Sequence, residues 1–279
     1  MGMSICQFVL IFMTGSFIGW IWECCYYAMK FKRWINSGFM FGPVCPIYGV
    51  GVATTTALFC GDGRLRPTTT MGLVYLFIFC VIGSAVLEWI TSIALEYWFH
   101  AVWWDYSDMP LNVDGRICLP ASLAFGVAGL FVVKIGGPGL LDWCRGITVN
   151  RTELGALICV SVFIADLTLT VTSMSSLLEK ISKWKDSFDR KMEQNIMIVK
   201  DGPAAVAKAV VKTASGTVVR TMEFPSELYS RLTSGERKHL ESIQEIWLPG
   251  RKDHNFVFDG TDRKEELRKL SEKKNTEKS

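Results

Sequence analysis

The chain has 279 residues, with 30 Lys plus Arg against 27 Asp plus Glu and 49% hydrophobic side chains. A net charge of +3 leaves no extended basic field, which argues against nucleic-acid binding. The charges are unevenly placed: residues 1–178 hold 9 Lys/Arg and 10 Asp/Glu, whereas residues 179–279 hold 21 and 17. The first part falls well below the roughly one quarter of charged residues usual in a water-soluble domain. It is expected in a membrane, and the second part in water.

A bilayer core needs about 20 apolar residues per helix. Five segments meet that length: 5–29, 39–60, 71–97, 117–134 and 154–178. The predicted fold class is therefore all-α, a polytopic membrane protein with five transmembrane helices and a helical tail over 179–262. Residues 263–279 are charge-rich and expected to be disordered. The first segment lacks a basic leader and a small-residue cleavage site, so it is expected to be a span and not a signal peptide. Lys30, Lys32, Arg33, Arg116, Lys180, Lys183, Lys185, Arg190 and Lys191 fall on one side of five spans. Arg64, Arg66, Lys134, Arg145 and Arg151 fall on the other. The larger basic set is expected in the cytoplasm, with the N-terminus outside and the protein multi-pass in the plasma membrane.

The nine cysteines show no C-x-x-C spacing, and His100, His239 and His254 are far apart, so neither a disulfide framework nor a metal site is expected. No cofactor is implied. In the tail, Thr233-Ser-Gly-Glu236 has capping-box spacing before a predicted helix over Arg237–Trp247. No P-loop sequence occurs.

Two stretches align without gaps at an offset of 77 residues, the one beginning Gly38-Phe-Met-Phe-Gly-Pro43 and the one beginning Gly115-Arg-Ile-Cys-Leu-Pro120. Tyr48-Gly49-Val50 then falls on Phe125-Gly126-Val127. This predicts a parallel two-span repeat, with units of about 5–60 and 71–134. Pro43 and Pro120 are expected just inside the start of their helices. Each unit also carries an acid in its first span, Glu23 and Glu88. A charge near the bilayer centre costs about 2.5–3.5 kcal/mol on insertion scales. Ser84, Glu88, Ser92 and Glu96 share one helical stripe, and Asp166 lies inside the fifth span. The loop Trp103–Arg116 holds Asp105, Asn112 and Arg116, whose residue types suit either a ligand site or an ordinary interfacial turn. The candidate substrate-binding cavity comprises Glu23, Asn36, Glu88, Asp105, Asn112 and Arg116, with Asp166 as a secondary candidate.

Three segments carry a resemblance: Gly15-Ser-Phe-Ile-Gly19-Trp20-x-x-Glu23, Asn36-x-Gly38 through Pro46-Ile47-Tyr48-Gly49, and Trp104-Asp105-Tyr106-Ser107 through Arg116. They resemble the putative ABC-transporter type IV (CmpB-like) family of small bacterial membrane proteins, over roughly residues 8–175. Ser37 stands where that family is expected to carry an arginine. The resemblance implies a membrane-embedded permease-like subunit. Without a P-loop, ATP-driven transport would need a separate ATPase, and because five spans are few for a complete path a homodimer, in contact with membrane lipid, is expected. A membrane enzyme acting on a lipid or isoprenoid at the cytoplasmic interface is an alternative, with the acids as general acid/base groups. A membrane-anchored regulator without catalysis is a third.

Overall fold

The computed structural model describes residues 3–31, 38–61, 65–200, 226–243, 245–248 and 251–257. The chain forms two compact units, Met1–Tyr97 with Trp103–Val171, and Trp98–Val102 with Thr172–Ser279. The helices are α1 (Ile5–Phe31), α2 (Pro46–Phe59), α3 (Thr70–Phe99), α4 (Leu119–Phe131), α5 (Gly137–Gly146), α6 (Val149–Lys200), α7 (Ser226–Arg231) and α8 (Ser234–Ser242). The strands are β1 (Ala101–Val102), β2 (Asn112–Val113), β3 (Ile117–Cys118), β4 (Glu245–Leu248) and β5 (Arg251–Val257).

Among the described residues, four helical stretches are long and apolar enough to cross a membrane: Ile5–Met29, Thr70–Phe99, Leu119–Gly146 and Val149–Trp184. Many of their exposed side chains are apolar, among them Ile78, Ile82, Val127, Leu157 and Ile164. Such faces belong against lipid. The protein is a membrane protein.

The segment expected as the second span, 39–60, is helical only over the 14 residues Pro46–Phe59, about 21 Å at 1.5 Å per residue. Pro46, not Pro43, takes the first turn of α2, and Cys45 before it is extended at φ −117° and ψ 95°. A residue ahead of proline is driven out of the helical region. Pro43 lies in the bent approach to α2, whereas Pro120 sits in the first turn of α4 as expected. The fourth span does not stop at Lys134. It continues through a π-helical turn, Val132–Gly136, into α5, so exposed Lys134 lies within the apolar stretch.

In the first unit α2 lies closely on α1 because glycines remove the side chains between them. A Cβ on Gly19 would stand 2.3 Å from Cβ of Tyr48, and one on Gly49 would stand 2.0 Å from Oγ of Ser16. On α4, a Cβ on Gly126 would meet Phe77 and Val81 at 2.6 Å. Among the described residues, apolar clusters hold the helices together. Leu10, Ile11, Ala53, Leu141 and Cys144 join α1, α2 and α5. Phe59, Leu76, Cys80 and Val133 join α2, α3 and the π turn.

The second unit departs from the expected all-helical tail. β1 pairs antiparallel with β4 through Ala101↔Ile246, and β4 pairs antiparallel with β5 through Ile246↔Phe256. The helix expected over Arg237–Trp247 ends at Ser242, and Trp247 lies in β4. The capping box does form: Glu236 N–H donates to Thr233 Oγ1 at 3.3 Å, and Thr233 N–H donates to Glu236 Oε2 at 2.7 Å. Glu236 also accepts from Lys180 Nζ and Ser176 Oγ on α6, both at 2.7 Å. The predicted disordered end, 263–279, lies outside the described residues.

Candidate functional site

The polar stripe of α3 is met by the loop that follows it. In the three-residue connection between β2 and β3, which pair through Val113↔Ile117, Asp114 and Gly115 have φ of 50° and 64°, positive values that turn the chain tightly. Arg116 N–H closes the turn on Val113 C=O at 3.0 Å. A Cβ on Gly115 would stand 2.4 Å from Oδ1 of Asp105, so space as well as φ demands glycine there. Asp105 Oδ1 accepts from Ser107 N–H at 2.8 Å and from its hydroxyl at 2.5 Å. Asn112 donates to Ser107 and Met109 carbonyls at 3.1 and 2.8 Å and accepts from Gly115 N–H at 3.2 Å. Asp105 and Asn112 therefore hold the loop's own shape.

That shape delivers two side chains to α3. Tyr106 donates its hydroxyl hydrogen to Glu88 Oε1 at 3.1 Å. Arg116 pairs with Glu96 and donates to Ser92 Oγ at 2.8 Å, with its guanidinium 5.9 Å from the Trp89 ring centroid. Arg116 therefore offsets Glu96, two turns along α3 from Glu88.

Glu23 has a phenol of its own. With Gly19 making room, Tyr48 lies along α1 and donates to Glu23 Oε1 at 2.6 Å. The two carboxylate–phenol pairs are neighbours. Burial pushes the Tyr106 hydroxyl well above its ordinary range, the Glu88 charge and hydrogen bond push it further, and Cys118 and Glu23 add to the effect. Glu88 is 5% exposed, and its Oε2 has no hydrogen-bond partner among the described residues.

Of the other expected site residues, Asn36 lies outside the described residues. Asp166 accepts from Gly42 N–H at 2.9 Å, and Thr170 one turn on accepts from Phe41 N–H at 3.2 Å. These two side chains of α6 satisfy backbone donors in the bent approach to α2. The candidates thus divide into Glu23 with Glu88, Arg116 with Glu96, and Asp105, Asn112 and Asp166 bonded to loop or backbone. Tyr48 and Tyr106, which complete the acidic pair, were not among the expected site residues. The signal available was chemical: a carboxylate in lipid needs a donor, and both motifs that flank the acids contain a tyrosine. No group of three or more His, Cys, Asp or Glu suited to a metal ion occurs among the described residues.

A family model described as putative ABC-transporter type IV matches residues 10–171. The chain belongs to that family. The match takes in α1 to α5 and the start of α6, and so all seven site residues considered above. No curated protein and no solved structure is detectably similar to this type IV family member.

Proposed function

We propose that this type IV family member is a permease-like subunit of a bacterial plasma-membrane transporter, driven by an ATPase on a separate chain. The observation that carries the reading is the pair of buried carboxylates, Glu23 and Glu88, each bonded to a tyrosine inside a bundle of lipid-facing helices. A polar cluster at that depth is costly, and in membranes such groups mark the paths of substrates and ions. Family membership and several apolar helices support a transporter-type protein. The basic excess on one side of five spans supports a cytoplasmic tail, where an ATPase would dock, and a homodimer would complete the path.

An internal parallel repeat is part of the same reading. Gly49 faces Phe12 and Ser16, and Gly126 faces Phe77 and Val81. The first-helix partners are 65 residues apart, as are Glu23 and Glu88, and the glycines are 77 apart. The difference is taken up in the longer second loop, which supplies Tyr106. In the second copy Phe125 stands where Tyr48 stands in the first, so the phenol must come from that loop.

A specific observation favours lipid chemistry as the second reading. A cleft of about 420 Å³ is lined mostly by apolar side chains of α3, α4 and the hairpin, among them Trp89, whose ring Arg116 lies over. Affinity purification of the tagged protein from its native membrane separates the two. Retention of a P-loop ATPase and ATP-dependent uptake after reconstitution supports the permease; turnover of a lipid by the chain alone supports the enzyme.

A further inference from the structure

The loop's tyrosine satisfies one oxygen of Glu88 and leaves the other. Tyr106 has a single hydroxyl hydrogen, and it is directed at Oε1. Oε2 is enclosed in a residue that is 5% exposed. Among the described residues, Glu88 is met by Tyr106 from the loop and feels the charge of Glu23 from α1, which Tyr48 of α2 bonds. Neither a lysine nor an arginine among the described residues pairs with Glu88. Arg116, the cation its own loop provides, is bound to Glu96 and Ser92.

A buried carboxylate without a counter-charge bears a desolvation cost of several kcal/mol. A second carboxylate nearby adds repulsion that a bound positive charge relieves. Ordinary packing would satisfy both oxygens or substitute an amide. Here one oxygen is fixed by a phenol, as a ligand held in orientation is, and the other is left to accept.

We propose that Glu88, with Glu23 beside it, binds one monovalent positive charge at Oε2 inside the membrane, either a proton or an alkali-metal ion. The inference rests on the permease reading and names what its acidic site carries. When the charge is a proton, an O–H bond forms at Oε2 and the carboxyl becomes neutral. When it is an alkali ion, the carboxylate stays ionised and the phenols keep its geometry. Both offset the charge of Glu88 that lipid disfavours.

The test is infrared difference spectroscopy of the full-length protein in phosphatidylcholine vesicles, wild type against Glu88→Gln, between about pH 5 and pH 9. A proton site gives a protonated-carboxyl C=O band at neutral pH that is lost in Glu88→Gln and shifts in Tyr106→Phe. An alkali site gives carboxylate bands that move on adding NaCl or KCl but not choline chloride, again only when Glu88 is present. Tyr106→Phe keeps the test open if Glu88→Gln fails to fold, since it perturbs the same band with the carboxyl retained. A Glu88 carboxylate that stays ionised over the whole range and ignores Na⁺ and K⁺ overturns the proposal. ATP-dependent uptake is scored separately: its absence with the band present overturns the permease reading and leaves the site standing.

Discussion

The Tyr48 ring lies 5.7 Å from the Phe125 ring, centroid to centroid, and the two residues align at the 77-residue offset of the sequence. Such a contact is expected if the proposed repeat has an axis passing between its two copies. The same pair sets the difference between the copies, because Tyr48 carries a hydroxyl to Glu23 and Phe125 carries none.

Close packing of α1 on α2 depends on glycine. Gly49→Ala places a methyl 2.0 Å from Ser16 Oγ and 2.5 Å from the Phe12 carbonyl oxygen, a backbone atom that cannot step aside. The expected loss is about 1–3 kcal/mol. Gly83→Ala, with nothing within 4 Å of the new methyl, is expected to leave the melting temperature in detergent unchanged. Equal melting of the two variants would contradict the packing.

The phenols are expected to matter through their hydroxyls. Tyr48→Phe keeps the ring against Gly19 and removes the hydroxyl donor to Glu23 Oε1, at a cost of about 1–3 kcal/mol. The double variant Glu23→Gln, Glu88→Gln is expected to abolish uptake while the protein remains folded by circular dichroism. Wild-type uptake from it would remove the acids from the function.

Asp166 is expected to be structural. Asp166→Asn retains an oxygen for Gly42 N–H and should behave as wild type, whereas Asp166→Ala should lower stability by about 1–2 kcal/mol. Thermal unfolding of the two side by side decides it; loss of uptake in the well-folded Asn variant would give the charge a role beyond capping.

The tail is expected to loosen in acid. Burial opposes ionisation of Glu236, but Lys180, Thr233 and Ser176 outweigh it and hold the carboxyl at about 2 against an ordinary 4.5. A depressed carboxyl contributes stability above its unfolded value and loses it as pH falls through the folded one. His239 is held at about 4 against 6.5 by burial and Lys238, opposed by Glu236. Its neutral form is favoured in the fold, so that stability too is lost as pH drops from 6.5 through 4. Hydrogen exchange in α8 should quicken first below about pH 6 and again below about pH 4. Glu236→Gln should remove the second step, and a tail equally protected at all acidities would refute the assignment.

Topology is open to direct measurement. In a cysteine-free background, a single cysteine at Ser271 should escape membrane-impermeant maleimide in intact cells, and one at Gly146 should react. Reaction at Ser271 would place the tail outside.

What the sequence made legible was local. The apolar runs marked α1, α3 and α6 because a lipid-facing helix advertises itself in every residue. Thr233 and Glu236 marked a helix start because a capping box is complete within four positions. Pro120 marked the start of α4, but near Pro43 a second proline at Pro46 took the first turn. The β1–β4 pairing joins Ala101 to Ile246, so neither short stretch carries its partner's signature. The partners of Glu23 and Glu88 were hidden for the same reason, since Tyr48 reaches Glu23 only across two packed helices.

The π turn at Val132–Gly136 sets the rotational phase of α5. An inserted residue advances a helix by about 100°, and beyond it Leu141 and Cys144 turn toward α1 and α2, while Gly126 and Gly129 before it face α3. An in-frame loss of one codon in this stretch would restore a regular helix and rotate all of α5 out of register with its neighbours. The gene should therefore tolerate substitutions at exposed Ile135 far better than a deletion there.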